Sequence, residues 1–285
     1  MAPRRLDFDW KDSMAQDPNR VEGFCELFGG GAGWIPPLFD GTMQGPAPLP
    51  SGASIHGVCV TLQYRCQDAV AEIHLDDGKV NAMSNDWFAS LNQALDRAEK
   101  EEASAVIIRG RARMFSAGLD LKWLPTLDRE GIGDMLQKFS STMLRVWNFP
   151  IPTIAAVTGH AVAGGCVLAS ACDKRFGLRG DFRIQMNEVL VRMAIPSWAA
   201  VICASSWSQP ELDDLLLFGR PFSPDDAHAL GFLHGLADTE DGVLELAGEA
   251  ARACALLDRR SFAVSKQRLR GPETERARAL VPTER

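Results

Sequence analysis

The chain has no apolar run of membrane-spanning length, no CxxC pair and no excess of basic residues. Each absence removes a class of function. Without a span of about twenty apolar residues, no transmembrane helix is expected. The seven cysteines (Cys25, Cys59, Cys66, Cys166, Cys172, Cys203, Cys254) are odd in number and scattered. That pattern predicts reduced thiols, not a disulfide framework or a zinc site. His228 and His234 do not have metal-ligand spacing, and no metal is expected. The net charge of −7 argues against nucleic acid or an anionic membrane as the main partner. A phosphate-bearing small molecule, held by a few local basic side chains, stays possible. The opening MAPRRLDFDWKDSMAQDP places acids where a signal peptide needs its apolar core, and the closing PTER is no peroxisomal address. The expected location is the cytoplasm.

Over its 285 residues the chain is 46% apolar and 24% charged, which suits a soluble protein with a sizeable core. Residues 1–55 include FGGGAGWIPPLFDGTMQGPAPLPSG, dense in glycine and proline, and read as an extended or irregular arm. From residue 56 to about 200, strand and helix patterns interleave. VCVTLQYRC and AVAEIHL predict two adjacent strands with a turn at Gln67–Asp68. Ser84 is a plausible N-cap, and Trp87, Phe88, Leu91, Ala94, Leu95 and Ala98 recur at helical spacing. AVIIRG (105–110) and TIAAVTG (153–159) read as buried strands. A helix over 132–148 is closed by NFPIP, whose prolines forbid continuation. Small residues in HAVAGGCVLASACD lead into another helix, KRFGL and FRIQMN return to strand, and 201–285 is mostly helical. The strand–strand–helix unit recurs, giving an α/β or α+β fold.

Two stretches suit a developing negative charge. In SAGLD (116–120), small residues follow a buried strand. In VAGGCVLA, Gly164 and Gly165 open a helix, whose first N–H groups lack intrahelical acceptors and carry a partial positive charge. Glycine lets a ligand oxygen approach the backbone, and two N–H donors aimed at one oxygen make an oxyanion hole. Either stretch taken singly reads better as a turn that packs strand against helix; the two together, each directly after an apolar strand, point to a site.

GKVNAMS, FSAGLDLK, PTIAAVTGHAVAGGCVLASACDKRFG and SPDDAHALGFLHGL, in this order, resemble the crotonase (enoyl-CoA hydratase/isomerase) superfamily. The resemblance runs from about Val58 to Arg270. It implies an α/β fold, a spiral of repeated ββα units, with a C-terminal helical region that helps form trimers or hexamers. It also implies an acyl-CoA thioester as ligand and no separate cofactor, coenzyme A being part of the substrate. By the same resemblance, the thioester oxygen lies between the N–H groups of Leu119 and Gly164. Ala82, Ala117, Gly118 and Gly165 line the substrate site, while Lys79, Phe262 and Lys266 meet the coenzyme A moiety. Asp120 and Asp173 are expected to be structural acids.

The family's acids separate its reactions. Hydratases carry two glutamates. Here the first position holds Val167, and the second holds Glu188, in IQMNEVLV. This resembles the Δ3,Δ2-enoyl-CoA isomerases, in which one base moves a proton from C2 to C4. Met186, Val189, Leu190 and Ile195 are expected to desolvate Glu188 and raise its pKa. Arg192 falls where many members have glycine. Other single-acid reactions (thioester hydrolysis, decarboxylation, C–C cleavage) and a non-catalytic CoA-binding scaffold are the alternatives. The helix NDWFASLNQALDRAEKEEA is slightly acidic, which argues against RNA binding. Cys166 lacks an identifiable activating base, and His160 reads as a packed or solvated side chain.

Overall fold

The computed structural model describes residues 62–281, and the arm expected over 1–55 lies outside the described residues. Strands β1 (Leu62–Gln67) and β2 (Val70–Leu75) pair antiparallel. Asp68 and Ala69 between them adopt φ of 51° and 58°, the left-handed pair whose twist suits a two-residue hairpin. After β3 (Ala82–Met83), Ser84 caps α1 (Asn85–Lys100), its Oγ accepting from Trp87 N at 3.3 Å. The six apolar residues of the sequence stripe, Trp87 to Ala98, are the buried face of α1.

The ββα unit then repeats. β4 (Ala105–Arg109), β5 (Arg113–Ser116) and β6 (Gly118–Leu119) precede α2 (Arg129–Trp147). β7 (Thr153–Val157) and β8 (Gly159–Val162) precede α3 (Gly164–Ala171), and β9 (Lys174–Leu178) and β10 (Ile184–Gln185) precede α4 (Ser197–Ala204). The chain continues through α5 (Glu211–Leu216), α6 (Pro224–Ala229), β11 (Gly235–Ala237), α7 (Glu240–Cys254) and α8 (Arg259–Leu280). No helix among the described residues is long and apolar enough to cross a membrane.

Successive units feed two sheets. One has six strands in the order β1-β2-β4-β7-β9-β11, and the other has three, β10-β8-β5, with a small β3-β6 pair beside them. All pairings after β1–β2 are parallel. A parallel sheet covered on both faces needs apolar residues at consecutive positions, and β7 is buried throughout. Alternation then divides its side chains. Ile154 and Ala156, with Ala105 and Ile107 of β4, pack on Val243, Ala247 and Ala251 of α7. Ala155, Val157, Val106 and Ile108 face the main core built with α1 to α4. Residues 62–190 and 194–281 form one compact unit, while Val191–Met193 fall in another.

Two elements differ from the sequence reading. The small residues after TIAAV first make a separate strand, β8, because the chain crosses β5 closely: a Cβ on Gly159 would lie 1.9 Å from the Arg113 carbonyl carbon. FRIQMN yields only the two-residue β10. Its partner β8 ends at Val162, where the chain leaves to start α3.

Candidate active site

The three-stranded sheet gathers the candidate residues. β5, β8 and β10 run parallel, with Ser116 opposite Ala161 and Gln185 opposite Val162. Leu119, Gly164 and Glu188 each come two or three residues after the end of one of these strands. They therefore share one edge, the carboxyl end of the sheet, where ligands of open α/β sheets bind.

The first limb is 117–120. Ala117 N donates to Val80 O and Asp120 N to Met83 O, each at 3.0 Å, so this stretch is tied to β3 and the residues just before it on both sides of Leu119. Gly118 has φ +85°, which side chains rarely adopt. A Cβ there would lie 2.8 Å from Gly164 N.

The second limb is the start of α3. Ala163 N donates to Gln185 O at 2.8 Å, and the first intrahelical bond runs from Val167 N to Ala163 O at 3.1 Å. Ala163 caps without a side-chain hydrogen bond, at φ 50° and ψ −122°. Such a backbone stores about 1–3 kcal/mol of strain in a non-glycine residue. The N–H groups of Gly164 and Gly165 precede the first bond and have no intrahelical acceptor. A Cβ on Gly164 would lie 2.9 Å from Met83 Sδ and from Phe139 Cζ, and one on Gly165 would lie 2.1 Å from Ser116 O. Glycine is thus required by close approach at both positions.

Glu188 sits after β10, just before a 3-10 turn over Val189–Val191. Its Oε2 is buried and has no hydrogen-bond partner. Burial pushes its carboxyl from the ordinary 4.5 up to about 7, against a smaller opposing pull from backbone N–H groups of its own turn. The expected source of that burial needs correction. Leu190 N bonds back to Asn187 O, and the turn leaves Val189 and Leu190 41% and 48% exposed. Met186 is buried and Ile195 is half-buried against the core. The groups that feel Glu188 electrostatically are the Cys166 thiol of α3 and the Cys203 thiol of α4.

Val167 is buried on the turn of α3 after the glycine pair. It can neither ionise nor hold a water. Cys166 is fully buried, and burial raises its thiol well above the ordinary value, with Cys203 and Glu188 adding to the shift. It is no nucleophile at neutral pH. His160 accepts from Arg183 N at 3.1 Å and packs edge-on against Phe182, so it is a packed side chain. Asp120 is structural, its Oδ1 accepting from Lys122 N at 2.9 Å.

The residues assigned to coenzyme A divide. Lys79 is exposed, and its N–H donates to Asp77 Oδ1 at 2.7 Å. Half-buried Ala82 donates to Asp77 Oδ2 at 3.2 Å, so Asp77 shapes this loop. Lys266 needs correction. Its side chain is 5% exposed, and Nζ lies 2.7 Å from Asp173 Oδ2 and over the half-buried Phe262 ring. Arg270 meets Asp173 Oδ1 at 3.0 Å, and Thr153 N donates to Oδ2 at 2.8 Å. The ammonium that the resemblance assigned to coenzyme A is an interior counter-ion on α8. Asp173 also follows the far end of α3, roughly 12 Å along the helix from Gly164.

Sequence reading passed over Asn81 and Ser116. Asn81 is buried at φ +52°, and its Nδ2 donates to Leu75 O and Phe115 O at 2.9 and 3.0 Å. Ser116 Oγ donates to Asn81 O at 2.7 Å. Asparagine's tolerance of left-handed backbone was the available signal.

The enoyl-CoA hydratase/isomerase family profile matches residues 65–279. Enoyl-CoA delta isomerase 3 of Arabidopsis thaliana is 30% identical over 167 residues, 56% of this chain and 70% of that protein. A solved enoyl-CoA isomerase from Mycobacterium tuberculosis superposes with a TM-score of 0.73 at 33% identity, covering 79% of this chain and 97% of that one. A structure described as an enoyl-CoA hydratase, from Mycobacterium marinum, gives a TM-score of 0.73 at 31% identity over 79% and 97%. Relatives at comparable similarity carry both isomerase and hydratase names. With its parallel ββα repeats and its match over most of its length, the chain belongs to the enoyl-CoA hydratase/isomerase family of acyl-CoA-processing enzymes, with the crotonase fold.

Proposed function

We propose that the enzyme shifts the double bond of a 3-enoyl-CoA to give the 2-enoyl-CoA. Glu188 takes a proton from C2, leaving a dienolate whose oxygen accepts from the N–H groups of Leu119 and Gly164. The same carboxyl then delivers the proton to C4, so no proton or water is gained or lost. The observation that carries this reading is the Glu188 carboxyl, with Oε2 buried without a partner and burial pushing its pKa up to about 7. A base that must accept and return one proton works best with a pKa near the working pH. Val167 supports isomerisation over hydration, because adding water needs a second group to hold it. Developing charge on the thioester oxygen is best met by preorganised donors, and losing one such donor typically lowers rates about 10²- to 10³-fold.

Self-association through the C-terminal region is part of this proposal. Leu256, Leu257, Val264 and Leu269, in and just before α8, are 88%, 50%, 42% and 78% exposed, apolar side chains that a second copy of the chain would cover. Sedimentation giving a monomer would refute it.

The deciding assay follows the ultraviolet absorbance of the conjugated 2-enoyl thioester formed from 3-enoyl-CoA, with wild type and Glu188→Gln in parallel. A wild-type rate that collapses in the variant is expected. Hydration of 2-enoyl-CoA at a comparable rate would overturn the isomerase reading. Turnover that survives the substitution would remove Glu188 as the base.

A further inference from the structure

We propose that Ser116 is a positioning residue for the acyl-CoA reaction, holding the backbone N–H groups of Leu119 and Gly164 at their mutual spacing. The inference rests on the oxyanion role given to those two groups above. Ser116 ends β5 and is fully buried. It touches both limbs of the site. Its Oγ accepts from Gly118 N at 3.2 Å, fixing the Ala117–Gly118 peptide, one before the peptide that carries the Leu119 N–H. Its carbonyl lies so close to Gly165 that a Cβ there would come within 2.1 Å of the oxygen, so it also abuts the start of α3.

The hydroxyl is itself anchored. It donates to Asn81 O at 2.7 Å. Asn81 is clamped by its Nδ2 bonds to Leu75 O and Phe115 O, and its Oδ1 accepts from Asp77 N at 3.0 Å. Asp77 Oδ1 in turn accepts from Asn81 N at 2.9 Å. A continuous set of short bonds thus runs from the loop after β2 to the Gly118 N–H. A buried hydroxyl serving packing alone needs one partner. This one bridges two backbone segments, and one of them carries an oxyanion donor. Groups supported in this way are held within the few tenths of an ångström that electrostatic catalysis demands.

The test compares wild type, Ser116→Ala and Ser116→Cys, with carbonyl-¹³C 2-enoyl-CoA as the bound probe. The readouts are the thioester C=O stretch by difference infrared spectroscopy, kcat and KM on 3-enoyl-CoA, and Tm. In wild type the stretch should fall on binding. In Ser116→Ala most of that fall should vanish, with kcat down about ten- to hundredfold and KM within about threefold. Ser116→Cys, with a weaker hydrogen bond in nearly the same volume, should lie between, and it carries the test if the alanine variant does not fold. Folded variants that keep the full wild-type shift and kcat would overturn the positioning role. A wild-type carbonyl that does not shift would instead overturn the oxyanion reading, and the positioning role with it.

Discussion

Replacing Glu188 with glutamine should make the protein more stable, by a margin that grows as pH rises from about 4.5 to about 7. The side chain is half-buried with Oε2 unpaired, and its carboxyl titrates near 7, not 4.5. An acid whose folded pKa is raised stabilises the native state while the proton is on. That contribution is complete below the unfolded value of about 4.5 and is lost as pH rises through about 7. The shift corresponds to roughly 3 kcal/mol, which we discount to about 2 kcal/mol because the group keeps some contact with solvent. Glutamine is neutral throughout and escapes the loss. Urea unfolding at pH 5 and pH 8 checks this. The two proteins should differ by less than about 1 kcal/mol at pH 5, and the variant should lead by about 2 kcal/mol at pH 8. A gap that does not widen with pH, or a variant less stable at pH 8, would refute the claim that burial isolates this carboxylate. The expected pattern is a stability–activity trade-off located at one atom.

The same titration should appear in catalysis: kcat/KM should rise with pH and level off above an apparent pKa near 7, and a profile flat from pH 5 to 8 would contradict a Glu188 base. Gly165→Ala forces a Cβ to within 2.1 Å of Ser116 O unless the backbone moves. Steady-state kinetics should show kcat down about 10²-fold or more. Asp173→Ala strands the Lys266 and Arg270 cations, 5% and 17% exposed. Denaturant titration should show a loss of about 3–5 kcal/mol, and a loss under 1 kcal/mol would refute the interior counter-ion role. Arg192 has φ 63°, so Arg192→Gly should raise the urea midpoint by the equivalent of about 1 kcal/mol.

Much of the fold was legible because its determinants are local. The Ser84 cap bonds three residues ahead, and the α1 stripe buries as its spacing predicts. TIAAV reads as a strand buried on both faces and is one. Reading failed where a partner is remote in sequence. Lys266 and Asp173 are 93 residues apart, and nothing near Lys266 announces that its charge turns inward. Ser116 finds Asn81 across 35 positions. Val189 and Leu190 read as cover for Glu188 because they are adjacent and apolar. The short turn after Glu188 leaves both of them largely exposed.

The sequence by itself determined the order of ββα units, the glycine positions where backbones cross and the presence of one acid, Glu188, with Val167 at the position of the other. These depend on propensity, periodicity and residue identity, each readable within a few positions. Only the tertiary structure decided that Leu119, Gly164 and Glu188 share one sheet edge, because that follows from parallel pairing among β5, β8 and β10. It alone decided that Glu188 titrates near 7. Desolvation depends on every segment that excludes water from one oxygen, and those segments meet only in the folded chain.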